Sequence, residues 1–326
     1  MLCIKHPNTN AYFNLAAEEY VLRNFSQDAF MLWRNEPAVI VGKHQNTLGE
    51  INLDFIKESE IKVVRRLSGG GAVFHDLGNL NFTFIMNGDD GNLVDFRKFT
   101  KPILDVLLKL GIEAKFEGRN DLTIDGKKFS GNAEHVYKKR VLHHGTLLFS
   151  SQMADLSEAL KINPLKYRDK AVKSVRSRVT NISDHLHQPL KVLEFRDLIM
   201  DHIRDMYPDA VGYDYSHDDL QSINNLVDNK YSTWEWNFGY SPMYDFQRGI
   251  KTEGGHIEFH LNVEKGMICD IKIYGDFFNK TDITELELLL KGCPHEQEAV
   301  KERLSSIVLS DYCSNVLVDE FVKGMF

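Results

Sequence analysis

Residues 65–82 read RRLSGGGAVFHDLGNLNF, so three consecutive glycines lie between two arginines and a His-Asp pair. Each glycine costs roughly 0.5–1 kcal/mol relative to alanine inside a regular element. A chain that keeps three of them together needs backbone without side chains, either for positive φ angles or for close approach of a ligand to the main chain. The alternative is a tight turn with two solvated arginines and a polar hairpin cap.

The pattern on both sides of these glycines predicts a mixed α/β arrangement rather than strict βαβ alternation. Upstream we expect a helix over 10–24 and strands over 29–34, 38–43 and 61–68. Downstream we expect a hairpin over 72–87, a helix over 95–111, a hairpin over 122–131 that turns at Asp125-Gly126, a strand over 141–150, and helices near 152–161 and 191–206.

The pattern changes after residue 242. Two alternating strands are expected within 255–275, and a helix is expected to begin at Thr281 or Asp282 and to end at Gly292. The sequence therefore predicts a main domain over 1–245, a linker over 246–252 and a small α+β domain over 253–326.

Composition excludes several classes of protein. The chain has 326 residues and a formal net charge of −8, which argues against a broad nucleic-acid-binding surface. No stretch approaches the roughly 18 apolar residues of a membrane span, so we expect a cytoplasmic protein without a membrane partner. The four cysteines form no CxxC pair, which favours free thiols over a zinc site or a disulfide framework.

A second polar cluster, GRNDLTIDGKKFSGNAEH, spans residues 118–135. In a regular strand, Lys128 and Ser130 share one face, while Lys127 and Phe129 share the other. Phe129 is expected in the core, so Lys128 is the lysine that would reach a polar pocket. The alternative is that both lysines are solvated.

Three shorter motifs follow. HHGTLL (143–148) is expected to hold a buried imidazole rather than a metal, and TWEWNFG (233–239) to pack as an aromatic segment. In SVRSRVTNI (174–182), Arg176 and Arg178 would share a face if extended, to contact an anion or simply to lie in a solvated loop. No GxSxG elbow occurs and no cysteine lies in these clusters, which disfavours a thioester route.

In their order and approximate spacing these motifs resemble those of lipoate–protein ligases. FNLAAEEY (13–20) and VIVGKHQN (39–46) add to the resemblance, which covers nearly the whole chain. It implies an α/β catalytic domain shared with biotin–protein ligases and related to class II aminoacyl-tRNA synthetases, followed by a small α+β C-terminal accessory domain.

The resemblance also implies a reaction in two steps. Lipoate attacks the α-phosphate of ATP with Mg²⁺, giving lipoyl-AMP and pyrophosphate. The ε-amine of a lysine on a lipoyl carrier domain then displaces AMP. The implied carriers are the E2 subunits of 2-oxoacid dehydrogenases and the glycine-cleavage H protein.

Site residues follow from the matching positions. Lys128 occupies the family's essential lysine position, and Asp121 is a candidate magnesium contact. The residues that would hold ATP or the adenylate are Arg66, Gly71, Ala72, Val73, Phe74, Asn120, Asp121 and Lys128. Those that would hold lipoate are Leu67, Ser68, Gly70, Gly71, His75, Lys128, Ser130, Gly131 and His144. Candidates for the apolar tunnel of the lipoyl tail are the surroundings of Leu67, Val73 and Leu147.

Three alternatives remain open at this level. Octanoyltransferases and lipoyl amidotransferases share the fold but use a thioester or a cysteine. Biotin ligation is disfavoured because the motifs match the lipoate branch. A non-catalytic module that sequesters lipoyl groups could keep both Lys128 and the glycines.

Overall fold

The computed structural model describes residues 1–88, 94–160, 167–169 and 178–326. The described strands are β1 (Leu2–Lys5), β2 (Ala29–Trp33), β3 (Ala38–Val41), β4 (Lys62–Arg65), β5 (Val73–His75), β6 (Asn79–Asn87), β7 (Ala114–Glu117), β8 (Asp121–Ile124), β9 (Lys127–Tyr137), β10 (Arg140–Leu148), β11 (Tyr167–Asp169), β12 (Val211–Tyr213), β13 (Tyr244–Thr252), β14 (Gly255–Glu264) and β15 (Met267–Gly275). The described α-helices are α1 (Ala11–Asn24), α2 (Leu53–Glu58), α3 (Phe96–Lys109), α4 (Met153–Ala159), α5 (Val192–Met206), α6 (His217–Leu226), α7 (Ile283–Leu290), α8 (Gln297–Leu304), α9 (Leu309–Tyr312) and α10 (Val318–Gly324).

A mixed sheet in the order β12-β1-β2-β6-β10-β9-β8-β7 forms the centre of the larger part. Its strands alternate between two buried faces, as strand geometry requires. On β2, Phe30 and Leu32 pack with α3 and α5, whereas Ala29 and Met31 pack with α1 and α6. The sheet is therefore a middle layer between two layers of helices.

A second sheet, in the order β4-β3-β5, positions the glycines. The predicted hairpin over 72–87 is wrong, because β5 pairs with β3, whereas β6 pairs with β2 and β10. The turn between them carries the chain from one sheet to the other. Gly78 permits this crossing, since a Cβ there would lie 2.2 Å from the carbonyl oxygen of Ser150.

Elements with strong local signals are where the sequence places them. Asn10 caps α1 by accepting a hydrogen bond from the backbone of Tyr12, and the chain leaves α3 through Gly111 with φ +79°. Asp125 and Gly126 have φ values of +51° and +71°, which are typical of the predicted two-residue type I′ turn.

The C-terminal part contains the sheet β11-β13-β14-β15, covered by α7, α8 and α10. The prediction of a linker at 246–252 is wrong, because these residues lie inside β13 and pair with β14. Phe246 belongs to the core of this part, and Gly249 leaves room for the ring of His256. The strand begins at Tyr244, close to the predicted end of the first domain.

Arg65 connects the two parts. Its guanidinium is fully buried, and its five N–H groups have seven acceptors within hydrogen-bond distance, all of them backbone carbonyls or hydroxyls. The acceptors come from the loop 42–47 after β3 and from the segment 236–241 that precedes β13. Burial lowers the pKa of Arg65 to about 10, which still leaves it charged at neutral pH. The predicted aromatic segment TWEWNFG is thus a packed element that holds Arg65.

Replacing Arg65 by Met should lower the free energy of unfolding by at least about 3 kcal/mol, because several buried acceptors lose their donors. Lys62→Met is the matched control on the same strand. Lys62 forms a partly exposed ion pair with Glu36 at 3.3 Å, and its loss should change stability by no more than about 1 kcal/mol. Urea unfolding of both variants checks this, and equal losses would contradict it.

His295 closes the core of the C-terminal part. Its Nε2–H donates to the carbonyl oxygen of Met325 at 2.7 Å, and its Nδ1 accepts from the Tyr244 hydroxyl at 2.5 Å. The ring also stacks on Phe326 with centroids 4.4 Å apart. Burial lowers the pKa of His295 to about 4, so the folded protein keeps this ring neutral.

This burial predicts acid sensitivity. The pKa of an unfolded histidine is about 6.5, so between pH 6.5 and 4 the unfolded chain binds a proton that the folded chain does not. His295 should therefore cost about 2–3 kcal/mol of stability between pH 7 and 4.5. Urea unfolding should show a shallower loss over this range for His295→Gln than for the wild type. Identical pH slopes would contradict the assignment.

Candidate active site

The glycines border a cavity of about 580 Å³ between the two sheets of the larger part. Its apolar lining comes from the opening helix and the neighbouring strands, through Leu15, Trp33, Ile40 and Val73. Its polar lining comes from the glycine loop 69–71 and from the hairpin of β8 and β9. The lining thus offers apolar side chains that suit an apolar chain, here called the apolar end, and cationic and backbone groups that suit a charged group, here called the polar end.

Arg66 organises the glycine loop from inside. Its guanidinium donates to the carbonyl oxygens of Gly69 (2.6 Å), Gly71 (2.8 Å) and Ile40 (3.1 Å), and to Ser68 Oγ (3.0 Å). Arginine has five N–H donors, so within the described structure one N–H of Nη1 remains without a partner. Burial lowers the pKa of Arg66 to about 10, and the group stays charged at neutral pH.

Two glycines are required by geometry. Gly70 has φ +92°, which L side chains rarely adopt. A Cβ on Gly42 would lie 2.0 Å from the carbonyl oxygen of Gly70, so the loop after β3 packs directly on the glycine loop. Gly69 also lines the cavity, but a Cβ there would meet no described atom within 4 Å.

Lys128 reaches the cavity by way of a β-bulge. The register between β8 and β9 shifts at this point, with Thr123 opposite Lys128 and Leu122 opposite Ser130. Lys128 Nζ lies 2.8 Å from Asp121 Oδ1, and its backbone hydrogen-bonds Arg178 and Thr180. The expectation that Lys128 and Ser130 share a face is wrong, since the bulge leaves Ser130 buried against Asn132 (3.2 Å).

His144 belongs to a buried chain of hydrogen bonds behind the glycine loop. Its Nδ1 lies 3.0 Å from Glu18 Oε1, and its Nε2 lies 2.6 Å from Ser68 Oγ. Thr83 also donates to Glu18 at 2.5 Å. Because Nδ1–H donates to the carboxylate, Nε2 is the acceptor for the Ser68 hydroxyl, which in turn accepts from Arg66. This chain connects α1 to the glycine loop.

A second polar chain supports the Asn120-Asp121 turn. His143 Nδ1 lies 2.8 Å from Glu134 Oε1, and its Nε2 lies 3.3 Å from Asn132 Oδ1. Asn132 and Asn120 exchange side chain-to-backbone hydrogen bonds at 2.5 and 3.1 Å. Both predicted histidines are therefore buried and hydrogen-bonded. The described residues contain no group of three or more His, Cys, Asp or Glu side chains that could hold a metal ion.

Most of the site residues expected from the sequence line this one cavity, namely Arg66, Gly70, Gly71, Ala72, Val73, His75, Asn120, Asp121, Lys128, Gly131 and His144. Phe74, Leu67, Ser68, Ser130 and Leu147 are buried and lie outside its lining. Arg178 is described and exposed, whereas Arg176 lies outside the described residues. None of the described cysteines lines the cavity.

The sequence interpretation missed Leu15, Trp33 and Ile40 as cavity residues. They lie on α1, β2 and β3 within regular apolar patterns, where lining a cavity and filling a core look the same. The motif FNLAAEEY carried a usable signal, because its polar residues Asn14 and Glu18 lie one helical turn apart and are buried at 0% and 3% exposure.

Comparison with known proteins agrees with this geometry. Residues 10–204 match the model of the lipoyl protein ligase A/B catalytic domain, and residues 241–325 match that of the bacterial lipoate protein ligase C-terminus. The chain is 42% identical to lipoate–protein ligase 1 of Staphylococcus aureus over 97% of both chains. It is 41% identical to the lipoate-protein ligase LplJ of Bacillus subtilis over the full length of both.

The chain belongs to the lipoate–protein ligase family. The predicted fold class is confirmed. The chain has the mixed α/β catalytic domain of lipoate ligases, followed by their C-terminal domain. No described helix of this ligase combines the length and the apolar character that crossing a membrane requires.

Solved structures give the same assignment. A bipartite lipoate protein ligase studied with its E2 lipoyl domain from Thermoplasma acidophilum superposes with a TM-score of 0.63 at 28% identity, over 73% of this chain and 95% of that one. LipL1 of P. falciparum in complex with lipoate superposes with a TM-score of 0.61 at 27% sequence identity, over 94% of both chains. A lipoate-protein ligase A bound with ATP superposes with a TM-score of 0.63 at 28% sequence identity, over 73% of this chain and 98% of that one.

Alanine substitution at Gly70 and at Gly69 should have different effects. Gly70→Ala should destabilise the ligase by about 1–2 kcal/mol, because alanine must adopt the strained φ of +92°. Gly69→Ala should keep stability within about 0.5 kcal/mol and instead weaken ligand binding, because it adds a methyl group to a residue that lines the cavity. Thermal unfolding and substrate KM values separate the two effects. Equal melting temperatures for both variants would contradict this division.

Proposed function

We propose that this ligase activates lipoate with ATP, giving lipoyl-AMP and pyrophosphate, and then transfers the lipoyl group to a lysine of a carrier domain. The observation that carries the proposal is the meeting of the Lys128 ammonium and the Arg66-held glycine loop in one cavity that also has an apolar end. Activation by ATP is what the chemistry needs, since a carboxylate is a poor acylating agent.

The apolar end of the cavity would take the dithiolane and its chain. Leu15, Trp33, Ile40 and Val73 line it, whereas the other two tunnel candidates, Leu67 and Leu147, are buried in core clusters. The similar ligase from P. falciparum has been solved in complex with lipoate, which supports this placement of the substrate class.

The polar end would take the adenylate. Gly71, Ala72 and Val73 line the cavity, and Phe74 is buried in the core next to them. Asn120 and Asp121 face the same space from the neighbouring turn. A similar ligase has been solved with ATP bound, which supports a nucleotide site of this kind.

Lys128 would stabilise both steps. In the first step, a carboxylate oxygen of lipoate attacks the α-phosphorus and pyrophosphate leaves, while the ammonium stabilises negative charge on the phosphoryl oxygens. In the second step, an amine attacks the acyl carbon and AMP leaves, and the same ammonium stabilises the developing oxyanion. Asp121, 2.8 Å away, holds the ammonium in place until a ligand anion arrives.

Asp121 would also hold Mg²⁺ together with the phosphates of the nucleotide. A single carboxylate fits this role, since protein-bound Mg²⁺ commonly takes one or two carboxylates plus substrate phosphates. The ion would neutralise phosphate charge when bound.

The carriers would be lipoyl domains, including those of E2 subunits and of the glycine-cleavage H protein. A similar archaeal ligase has been studied with its E2 lipoyl domain, which supports a protein acceptor of this class. We assign catalysis to the larger part, with its limit near residue 245, and an accessory role to the C-terminal part.

Lys128→Ala should reduce lipoate-dependent ATP–pyrophosphate exchange by about 100-fold or more, because the cation at the developing charge is lost. Lys127→Ala is the matched control. Lys127 is the neighbouring residue of the same hairpin and is exposed, so exchange should change less than about twofold.

The assay also tests the function itself. Exchange that requires lipoate and collapses only in Lys128→Ala supports the ligase and its central lysine. Wild-type protein without exchange, but with acyl transfer from lipoylated or octanoylated protein, would place it among the transferases. Inactivity in both assays would favour a binding module. Equal exchange in the two lysine variants would remove Lys128 from the mechanism.

A further inference from the structure

His75 lines the cavity, and one polar atom of its ring is not satisfied by any described group. The side chain is 3% exposed and lines the cavity. Its Nδ1 lies 3.1 Å from Asn35 Nδ2, whereas its Nε2 is buried without a hydrogen-bond partner among the described residues. A buried unpaired polar atom is costly, so its persistence beside a ligand cavity points to a partner supplied by the ligand.

Two asparagines determine which nitrogen of this ring carries the proton. Asn14 Nδ2 faces the backbone carbonyl oxygens of Asn8 (3.2 Å) and Arg34 (2.9 Å), which can only accept. The orientation of the Asn14 amide is therefore determined, and the same Nδ2 donates to Asn35 Oδ1 at 2.8 Å.

The orientation of Asn35 follows from that contact. Since its Oδ1 faces Asn14, its Nδ2 faces His75 and donates to Nδ1. His75 Nδ1 is then an acceptor, and the ring proton lies on Nε2. All three side chains are buried, with Asn14 and Asn35 at 0% exposure, so solvent does not compete for these bonds.

The ring is also kept neutral. If the ring were protonated, its Nδ1–H would face the N–H of Asn35, so two donors would oppose each other. Burial, and next the charge of Arg66, lower the pKa of His75 to about 3. Arg66 and His144 are the titratable groups that act on it, and the adjacent Trp33 ring, 6.0 Å away edge-on, is apolar.

The position selects the kind of acceptor. His75 lies where the apolar end, marked by Trp33, meets the cationic end, marked by Arg66. In a molecule made of an apolar chain and an activated carboxyl group, the atoms at this junction are the acyl oxygens.

We propose that His75 Nε2–H donates a hydrogen bond to the acyl oxygen of the bound lipoyl group, and that Asn14 and Asn35 are positioning residues that hold the ring in this tautomer. The idea rests on the proposed function. During transfer, the amine nitrogen bonds to the acyl carbon, and an electron pair moves to the acyl oxygen. That pair returns as the bond to AMP breaks, and the proton of the amine is released to water. The His75 donor stabilises the oxygen while it is negative, and keeps its own proton.

The first test follows transfer directly, by mixing isolated lipoyl-AMP, enzyme and a lipoyl domain in a single turnover. His75→Ala should slow transfer at least about tenfold, and His75→Gln, which restores an N–H donor, should recover much of the rate. Thermal unfolding confirms that each variant is folded. Transfer within about threefold of wild type for a folded His75→Ala variant would overturn the proposal.

Asn35→Asp gives a readout that a structural role would not produce. The carboxylate introduced by this substitution keeps the acceptor for Asn14 but turns the group facing His75 Nδ1 from a donor into an acceptor. His75 then titrates: the imidazolium at low pH still offers Nε2–H, whereas the neutral ring at high pH carries its proton on Nδ1. The ratio of variant to wild-type transfer rate should therefore fall as the pH rises from 6 to 9.

A surface Asn→Asp exchange, Asn24→Asp, should leave this ratio constant. A constant ratio for Asn35→Asp would count against the tautomer assignment. ¹⁵N-histidine NMR of the wild type supplies an independent reading, with His75 assigned by its variant. The expected spectrum has an unprotonated Nδ1 and a protonated Nε2 from pH 8 to pH 5. Protonation on Nδ1 within that range would overturn the proposal even if lipoate-dependent exchange establishes the ligase.

Discussion

The architecture of the site depends on two buried arginines that follow one another at the end of β4. Successive side chains point in opposite directions, so Arg65 enters the junction with the C-terminal part and Arg66 enters the glycine loop. Within the described structure, the hydrogen bonds of both end on carbonyl and hydroxyl oxygens, and no carboxylate takes part in them. Backbone and hydroxyl oxygens accept the hydrogen bonds of both groups, and the nearby Glu18 carboxylate also favours the charged form of Arg66, so Arg66 remains a cation beside the cavity.

The sequence predicted those parts of the fold whose signal is local. Capping residues, glycine stops and the Asp125-Gly126 turn report on the geometry of their own neighbours, and these elements were correct. The errors concern pairing between distant strands. Nothing between Val73 and Asn87 states that β5 joins β3, and nothing in 246–252 reveals that these residues complete another sheet. Such partners are selected by tertiary packing, which a single strand does not encode.

For the site, too, the sequence predicted the features with a local signal and missed those that depend on tertiary packing. The glycines, Lys128 and the neighbouring polar residues stood out because their types are unusual in regular elements, and most of them line one cavity. The bulge in β9 did not stand out, because an extra residue leaves the composition of a strand unchanged. It nevertheless decides that Lys128 faces the cavity while Ser130 supports the wall. Leu15 and Ile40 were missed because an apolar residue looks the same in a core and in a tunnel.

Two of the cations that line the cavity, Arg66 and Lys128, are held in different ways, and this difference separates their roles. Arg66 commits four of its donors to oxygens behind the loop, so moving it would dismantle the loop. Lys128 has one described ionic partner, Asp121, and both side chains are partly exposed. A Cβ on Gly131 would lie 3.1 Å from the Lys128 ammonium, so a larger residue there would displace the end of the lysine side chain. Arg66 therefore shapes the loop, whereas Lys128 is the cation that can exchange a carboxylate for a ligand anion.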